Sequence, residues 1–397
     1  MAYRKPNVLY YRIAQAASWL VATFVFRRKI LRNEIKGKKG AFVVIANHEA
    51  ALDFVNLIGL NRRPMTFVIS NSFYNSLPLT GFMDRMGVIP KQQFQTTLKD
   101  MKRIKEVVDH DRALVIYPAG LMCEDGLSTP IPKATYKFLK WLGTDIYVAR
   151  TSGTYFAMPK WSKKLRPGRT YMDVYQLFSR EELEKLDLTA IRRRAEEALL
   201  FDAYREQEKL QVRYSDQIEG LENVLYLCPH CKAEFSMRIK DQNTIYCTEC
   251  GYAATSDAYG FLHSERTPAL RYVSDWSRLI YEDLKRQLEA DPSMGLTAKA
   301  KFHMLNGKKR KKYVEVGAGT ITLAGQEFHL TGQLRGETVD LRIPAGNLPS
   351  LPFDPARHLE IQHGSQIYRC VLEDHRLVMK FINMIKIYYE MNTAVSV

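Results

Sequence analysis

His48 and Asp53 stand five residues apart, just after the apolar run from Ala41 to Ala46. A hydroxyl is a poor nucleophile at neutral pH, and an imidazole held at one nitrogen by a carboxylate can take its proton. One helical turn or tight loop after a strand brings residue i+5 back toward residue i. The Asp53 carboxylate is therefore expected at the inner nitrogen of His48, with the outer nitrogen left for a substrate proton. A His-x4-Asp pattern arises by chance in many chains, so this pair needs companions at the same edge.

The second chemical constellation is Cys228-Pro229-His230-Cys231, then fifteen intervening residues, then Cys247-Thr248-Glu249-Cys250. Each C-x2-C knuckle presents two thiolates on one side, and two knuckles close a tetrahedron around Zn²⁺. Four thiolates leave no open coordination position, which makes the expected zinc structural and His230 a bystander. Strand-like segments at Ala233 to Met237 and Thr244 to Tyr246 fit a zinc ribbon. Two disulfides or a redox C-x-x-C are the competing readings. Cys123 and Cys370 stand apart from the pattern.

These groups must be positioned by a chain of 397 residues with 58 Lys and Arg against 43 Asp and Glu, a net charge of +15. Such a balance favours nucleic acid, an anionic membrane surface or anionic substrates. Residues 1–40 carry ten basic side chains against one acid, Glu34, and flank an uncharged segment from Ile13 to Phe26 that contains Trp19, Leu20, Phe24 and Val25. As a helix that segment would be about 21 Å long, short of the roughly 30 Å hydrocarbon core. It is expected to lie in the membrane interface, held by arginines at both ends. A signal peptide is disfavoured because the segment runs into Arg27-Arg28-Lys29 without a small-residue cleavage site. A buried N-terminal helix of a soluble domain is the plainer alternative.

Beyond the leader, strands are expected at 41–46, 64–69, 113–117 and 146–150, with helices at 51–60, 97–109 and 134–142, an α/β layer structure reaching about residue 180. Ser179 before Arg-Glu-Glu and Thr189 before Ala190 to Leu210 start two helices of a connector over 181–222. The zinc ribbon occupies 223–253 and a helical linker 254–295. From 296 to 397 the period switches to two, with strands at 299–305, 313–316, 320–323, 328–330, 338–343, 358–362 and 366–372 and a final helix from His375 to Met391. Seven strands and one terminal helix resemble the outline of a pleckstrin-homology-like domain. Lys308-Lys309-Arg310-Lys311-Lys312, after the Asn306-Gly307 turn signal, reads by default as a solvated hairpin tip, and in a domain of that outline as one presenting cations to lipid head groups.

Three segments accompany His48. Gly81 to Lys91 carries a glycine turn at Gly87 and then a cation; Tyr117-Pro118-Ala119-Gly120 follows a strand with a tight turn; Tyr147-Val148-Ala149-Arg150 ends the next strand. With Asn47-His48 through Asp53 they resemble, in order and spacing, the four blocks of the PlsC-like 1-acylglycerol-3-phosphate acyltransferase superfamily, over residues 40–180. The string from Pro118 to Arg169, with Phe201-Asp202-Ala203-Tyr204 and a zinc ribbon downstream, is similar to a bacterial lysophospholipid acyltransferase subgroup. The resemblance implies a glycerolipid-acyltransferase-type α/β domain in residues 41–180, with His48 as general base and Asp53 as its orienting partner. Asn47, Gly87, Lys91, Pro118, Gly120 and Lys133 would serve substrate binding, with Lys91 where the family usually has arginine. The acyl donor would be an acyl-carrier protein thioester or acyl-CoA, and the protein would sit peripherally on the cytoplasmic face of the membrane.

One block departs from the family. Its Phe-Pro-Glu-Gly-Thr-Arg reads Tyr117-Pro118-Ala119-Gly120-Leu121-Met122 here, and the loss of the arginine removes a bidentate phosphate clamp. Phosphatidic acid synthesis is therefore disfavoured against transfer to another lipid or glycolipid hydroxyl. A catalytically weak, lipid-binding scaffold is the alternative. Nucleic acid is not expected as a partner, because the largest basic cluster surrounds an apolar helix and the ribbon lacks an interleaved basic and aromatic face.

Overall fold

Asn7 starts the first helix by accepting the backbone N–H groups of Leu9 and Tyr10 on its side-chain oxygen, which satisfies donors that a helix N-terminus leaves free. In the computed structural model, which describes residues 4–76, 79–93, 97–215, 217–306, 312–346, 348–364 and 366–394, α1 (Val8–Leu20) runs on through a π-helical turn, Val21–Val25. Tyr11, Ala14, Ser18, Ala22 and Phe26 are buried at helical spacing, while Leu9, Ile13, Trp19, Leu20 and Phe24 are exposed. One flank thus belongs to the core and another leaves large apolar groups outside. The Val8–Val25 run is long and apolar enough, by length and composition, to cross a membrane.

Two units divide the chain, Met1–Lys160 with Lys164–Ser215, and Trp161–Lys163 with Asp216–Val397. In the first, the elements after α1 are β1 (Lys29–Asn33), β2 (Phe42–Ala46), α2 (Asp53–Leu57), β3 (Met65–Ser70), α3 (Asn71–Ser76), α4 (Thr80–Arg85), β4 (Ile89–Lys91), α5 (Leu98–Asp109), β5 (Ala113–Ile116), α6 (Ala134–Leu142), β6 (Ile146–Ser152), α7 (Thr154–Ala157), β7 (Tyr171–Phe178), α8 (Arg180–Lys185), α9 (Leu188–Leu199) and α10 (Ala203–Leu210). The sheet order is β1-β7-β6-β2-β5-β3-β4. From β6 to β4 the pairings are parallel; β7 is antiparallel to β6 and β1 parallel to β7.

Strand β2 is apolar and buried at all five positions, as a central strand covered on both faces must be. Phe42, Val44 and Ala46 join Tyr11, Leu57 and Met83 on one side, and Val43 and Ile45 join Ile104, Leu139 and Ile191 on the other. The result is the expected α/β layering, in which burying each Val, Leu, Ile, Phe or Met side chain contributes about 1.5–3 kcal/mol.

The differences from expectation have local causes. The leader is not a helix apart, since β1 within it pairs with β7; its charged sequence carries no strand signal, and the pairing depends on a partner distant in sequence. Helix 51–60 shrinks to α2, because Leu60 N–H turns back onto the Leu57 carbonyl beyond it. The run 190–210 breaks where Leu200 turns extended and Asp202 caps α10 through the N–H groups of Tyr204 and Arg205. Both helices fall in the first unit, so the connector boundary at 222 is not observed.

The second unit holds β8 (Met237–Lys240), β9 (Thr244–Cys247), β10 (Ala253–Ser256), β11 (Leu262–His263), α11 (Val273–Ala290), β12 (Leu296–Asn306), β13 (Lys312–Ala324), β14 (Glu327–Leu334), β15 (Glu337–Pro344), β16 (Phe353–Asp354), β17 (His358–His363), β18 (Gln366–Leu372) and α12 (Leu377–Ala394). The ribbon therefore extends past residue 253, as an antiparallel sheet β11-β10-β9-β8. The expected linker 254–295 is structured as well: Trp276 is fully buried in α11 and donates its indole N–H to the Leu227 carbonyl.

Over the last hundred residues an antiparallel sheet runs β15-β14-β13-β12-β18-β17-β16 and ends in α12. The strands expected at 313–316 and 320–323 are one strand, β13. The glycines between them looked like a break, but a Cβ on Gly317 would lie 1.8 Å from the Gln333 carbonyl oxygen, so glycine permits close strand approach there. The short β16 was not anticipated. Residues 308–311 of the basic run lie outside the described residues.

Candidate active site

The four sequence blocks lie toward the carboxyl ends of parallel strands: Asn47-His48 after β2, Lys91 at the end of β4, Tyr117 to Gly120 after β5, and Tyr147 to Arg150 in β6, just before that strand ends at Ser152. That edge of an open α/β sheet is where ligand crevices form.

Asn47 fixes the exit from β2. Its side-chain amide donates to the Thr151 carbonyl and its oxygen accepts the Thr151 N–H, both at 2.8 Å. In effect the side chain continues the β2–β6 ladder beyond its last backbone pair, Ala46 with Ala149.

His48 then faces Asp53. Nδ1 lies 2.9 Å from Asp53 Oδ2, and the same oxygen accepts the backbone N–H of Glu49 at 2.8 Å and of Ala50 at 2.9 Å. Asp53 is fully buried, whereas the His48 side chain is one-fifth exposed. With Nδ1–H donating to the carboxylate, Nε2 carries the lone pair. The arrangement can accept a proton at Nε2 and steady the resulting imidazolium.

Three residues around this pair were missed by sequence reasoning. Glu49 is completely buried; its Oε2 accepts the Thr154 hydroxyl at 3.0 Å and the Tyr155 N–H at 2.9 Å, and its Oε1 faces the Asn47 amide. Burial pushes its carboxyl well above the ordinary Glu range, with the charges of Glu206 and Asp53 adding to the shift. Tyr117 lays its ring against His48, with centroids 4.4 Å apart and planes inclined 32°. Cys123 donates its N–H to the His48 carbonyl. The place of Glu49 directly after His48 in the first block was the available signal for it; Tyr117 was marked only as the start of the third block, and Cys123 not at all.

The expected substrate-binding residues divide. Gly120 closes the turn after β5 in the left-handed region, its N–H on the Tyr117 carbonyl, and the Gln93 amide caps the Gly120 carbonyl. Pro118 is buried in that turn. Lys91 is half-buried, with Nζ on the Gln92 carbonyl, and burial lowers its pKa. Gly87 has a different purpose: a Cβ there would lie 2.8 Å from Pro6 Cγ, so glycine lets the N-terminal segment pass. Lys133 is exposed where α6 begins and, among the described residues, makes no side-chain hydrogen bond or ion pair. Met122, in the place of the family arginine, is partly exposed, and Ala119 offers no acid.

In the second unit the sulfurs of Cys228, Cys231, Cys247 and Cys250 all lie within 4.8 Å of one another, with 3.7 Å for Cys228–Cys250 and for Cys231–Cys247. A tetrahedron with Zn–S near 2.3 Å has edges of about 3.8 Å, so the sulfurs fit that ion. The two knuckles are built alike. Lys232 N–H bonds the Cys228 carbonyl and Gly251 N–H the Cys247 carbonyl, and both residues are left-handed, at φ 64° and 67°. Ser236 adds its hydroxyl 3.2 Å from Cys247 Sγ.

Residues 7–153 match the family model described as Acyltransferase. Among solved structures, the chain is similar to the 1-acyl-sn-glycerophosphate (LPA) acyltransferase PlsC from Thermotoga maritima, at 14% identity and a TM-score of 0.42, over 51% of this chain and 78% of that one. No curated protein matches the chain.

Proposed function

We propose, from a chain whose residues 7–153 match the Acyltransferase family model, that this protein moves an acyl chain from a thioester donor to a (lyso)phospholipid or glycolipid hydroxyl. The observation that carries the reading is the His48–Asp53 contact of 2.9 Å at the carboxyl edge of the parallel strands. His48 Nε2 takes the hydroxyl proton as that oxygen attacks the thioester carbonyl. The tetrahedral intermediate then expels the thiolate, which recovers the proton from the imidazolium. Asp53 holds the ring in the required tautomer throughout.

The acceptor is read from what the third block lacks. With Ala119 and Met122 in place of an acid and an arginine, the half-buried Lys91 is the cation that the second block offers. A lipid hydroxyl without a terminal phosphate monoester suits this edge better than lysophosphatidate. The donor is an acyl-carrier protein thioester or acyl-CoA. The exposed Leu9, Ile13, Trp19, Leu20 and Phe24, beside Arg27 and Lys29, support docking on an anionic membrane surface. The four thiolates support a structural zinc, and the antiparallel sheet closed by α12 supports a pleckstrin-homology-like module.

Transfer of labelled acyl chains by membranes containing wild type or His48→Ala tests the activity. A general base contributes about 10²- to 10⁴-fold, so His48→Ala should fall by that factor; undiminished transfer would reject catalysis and leave the lipid-binding scaffold. Liposome flotation tests docking, with binding that ignores lipid charge as the contrary result.

A further inference from the structure

Tyr117 is the first residue after β5, and its ring packs against the His48 imidazole at a tilt of 32°, with centroids 4.4 Å apart. Its hydroxyl is buried and, among the described residues, has no hydrogen-bond partner. The side chain therefore serves this position through its ring, since the hydroxyl gains nothing there and its burial without a partner is unfavourable. Among the described residues, the His48 side chain has one hydrogen-bond tether, at Nδ1 to Asp53. One hydrogen bond leaves the ring free to tilt about that axis, and a flat neighbour on its face removes the freedom. The backbone gives the neighbour a fixed base: Gly120 N–H closes the turn onto the Tyr117 carbonyl at 3.0 Å, and Cys123 N–H ties the same loop to the His48 carbonyl at 3.2 Å.

We propose that Tyr117 is a positioning residue, whose ring holds His48 against Asp53 with Nε2 directed to the acceptor hydroxyl. The proposal rests on the reading of His48 as the base. Packing of the ring does not require the hydroxyl, so phenylalanine should replace tyrosine and an aliphatic residue should not.

The test is proton NMR of the full chain, reading the downfield resonance of an imidazole Nδ1–H bonded to a buried carboxylate. The His48 signal is assigned by its disappearance from His48→Gln. Tyr117→Phe should retain it at the wild-type position, and Tyr117→Leu should lose it to exchange with water. Tyr117→Met repeats the aliphatic test should the leucine variant fail to fold. In the acyl-transfer assay, kcat should fall on the order of 10- to 100-fold in the aliphatic variants with KM unchanged, the scale set by misplacing a catalytic group by about an ångström. A resonance of full intensity in a folded aliphatic variant would overturn the role of Tyr117 alone. Its absence from the wild type would overturn the His48–Asp53 pairing as well.

Discussion

Asn47 and Thr151 are joined by two 2.8 Å hydrogen bonds in which one side-chain amide stands in for a backbone peptide group. Both bonds are buried. Asn47→Ala would strand both the N–H and the carbonyl of Thr151, at about 1–3 kcal/mol for each unsatisfied group. A lower urea midpoint with an unchanged m-value is expected, together with reduced transfer activity, because His48 is the next residue.

Asp53→Asn isolates the electrostatic part of the pair. Asparagine can still accept the Glu49 and Ala50 N–H groups that now converge on Oδ2, so the turn should survive. An amide N–H toward His48, or a neutral oxygen, either selects the other tautomer or fails to stabilise the imidazolium. Transfer activity should fall by about 10²- to 10⁴-fold, with a thermal midpoint close to wild type. Comparable loss of activity and midpoint would instead mark Asp53 as a purely structural residue.

Glu49 makes stability depend on pH. Its carboxyl is raised in the folded state by burial and by the neighbouring Glu206 and Asp53 charges. Between the unfolded value near 4.5 and the raised folded value, the folded chain keeps a proton that the unfolded chain has released. Stability is therefore lost as pH rises through that window, by at most about 1.4 kcal/mol per pH unit, and none is lost below it. Glu49→Gln cannot ionise and should lack this slope. Thermal midpoints of the two proteins from pH 4 upward should diverge in favour of the Glu49→Gln variant; parallel curves would show that Glu49 is ionised in the fold.

Much of this geometry was legible because it follows from local spacing. A strand followed by a turn gave the His48–Asp53 approach, and two C-x2-C knuckles gave the four-sulfur cluster. Helix boundaries with side-chain caps were equally readable, as at Thr97 and Ser179, each with a complete capping box. What escaped depends on partners distant in sequence. Glu49 is explained by Thr154 and Tyr155, about a hundred residues on, and Tyr117 by its ring contact with His48. Strand β1 exists because β7 is there to pair with it, and Gly87 is glycine because Pro6 crosses it. A pattern within one segment carries none of these relationships.

The cysteine cluster makes a prediction about folding rather than catalysis. With sulfurs 3.7 Å apart and two knuckles of the same backbone geometry, wild-type protein should purify with one zinc per chain by elemental analysis. Cys228→Ser and Cys247→Ser should not. Cys123→Ser and Cys370→Ser, whose thiols are buried outside the cluster, should keep the metal. Structural zinc binding is folding free energy, of order 10–16 kcal/mol in small isolated modules, and the β8–β11 sheet between and beyond the knuckles is too short to stand without a cross-link. A strong chelator should therefore abolish hydrogen-exchange protection in residues 237–263. Protection that survives complete metal removal would mean that burial around Trp276 and Tyr252, rather than the ion, holds that sheet together.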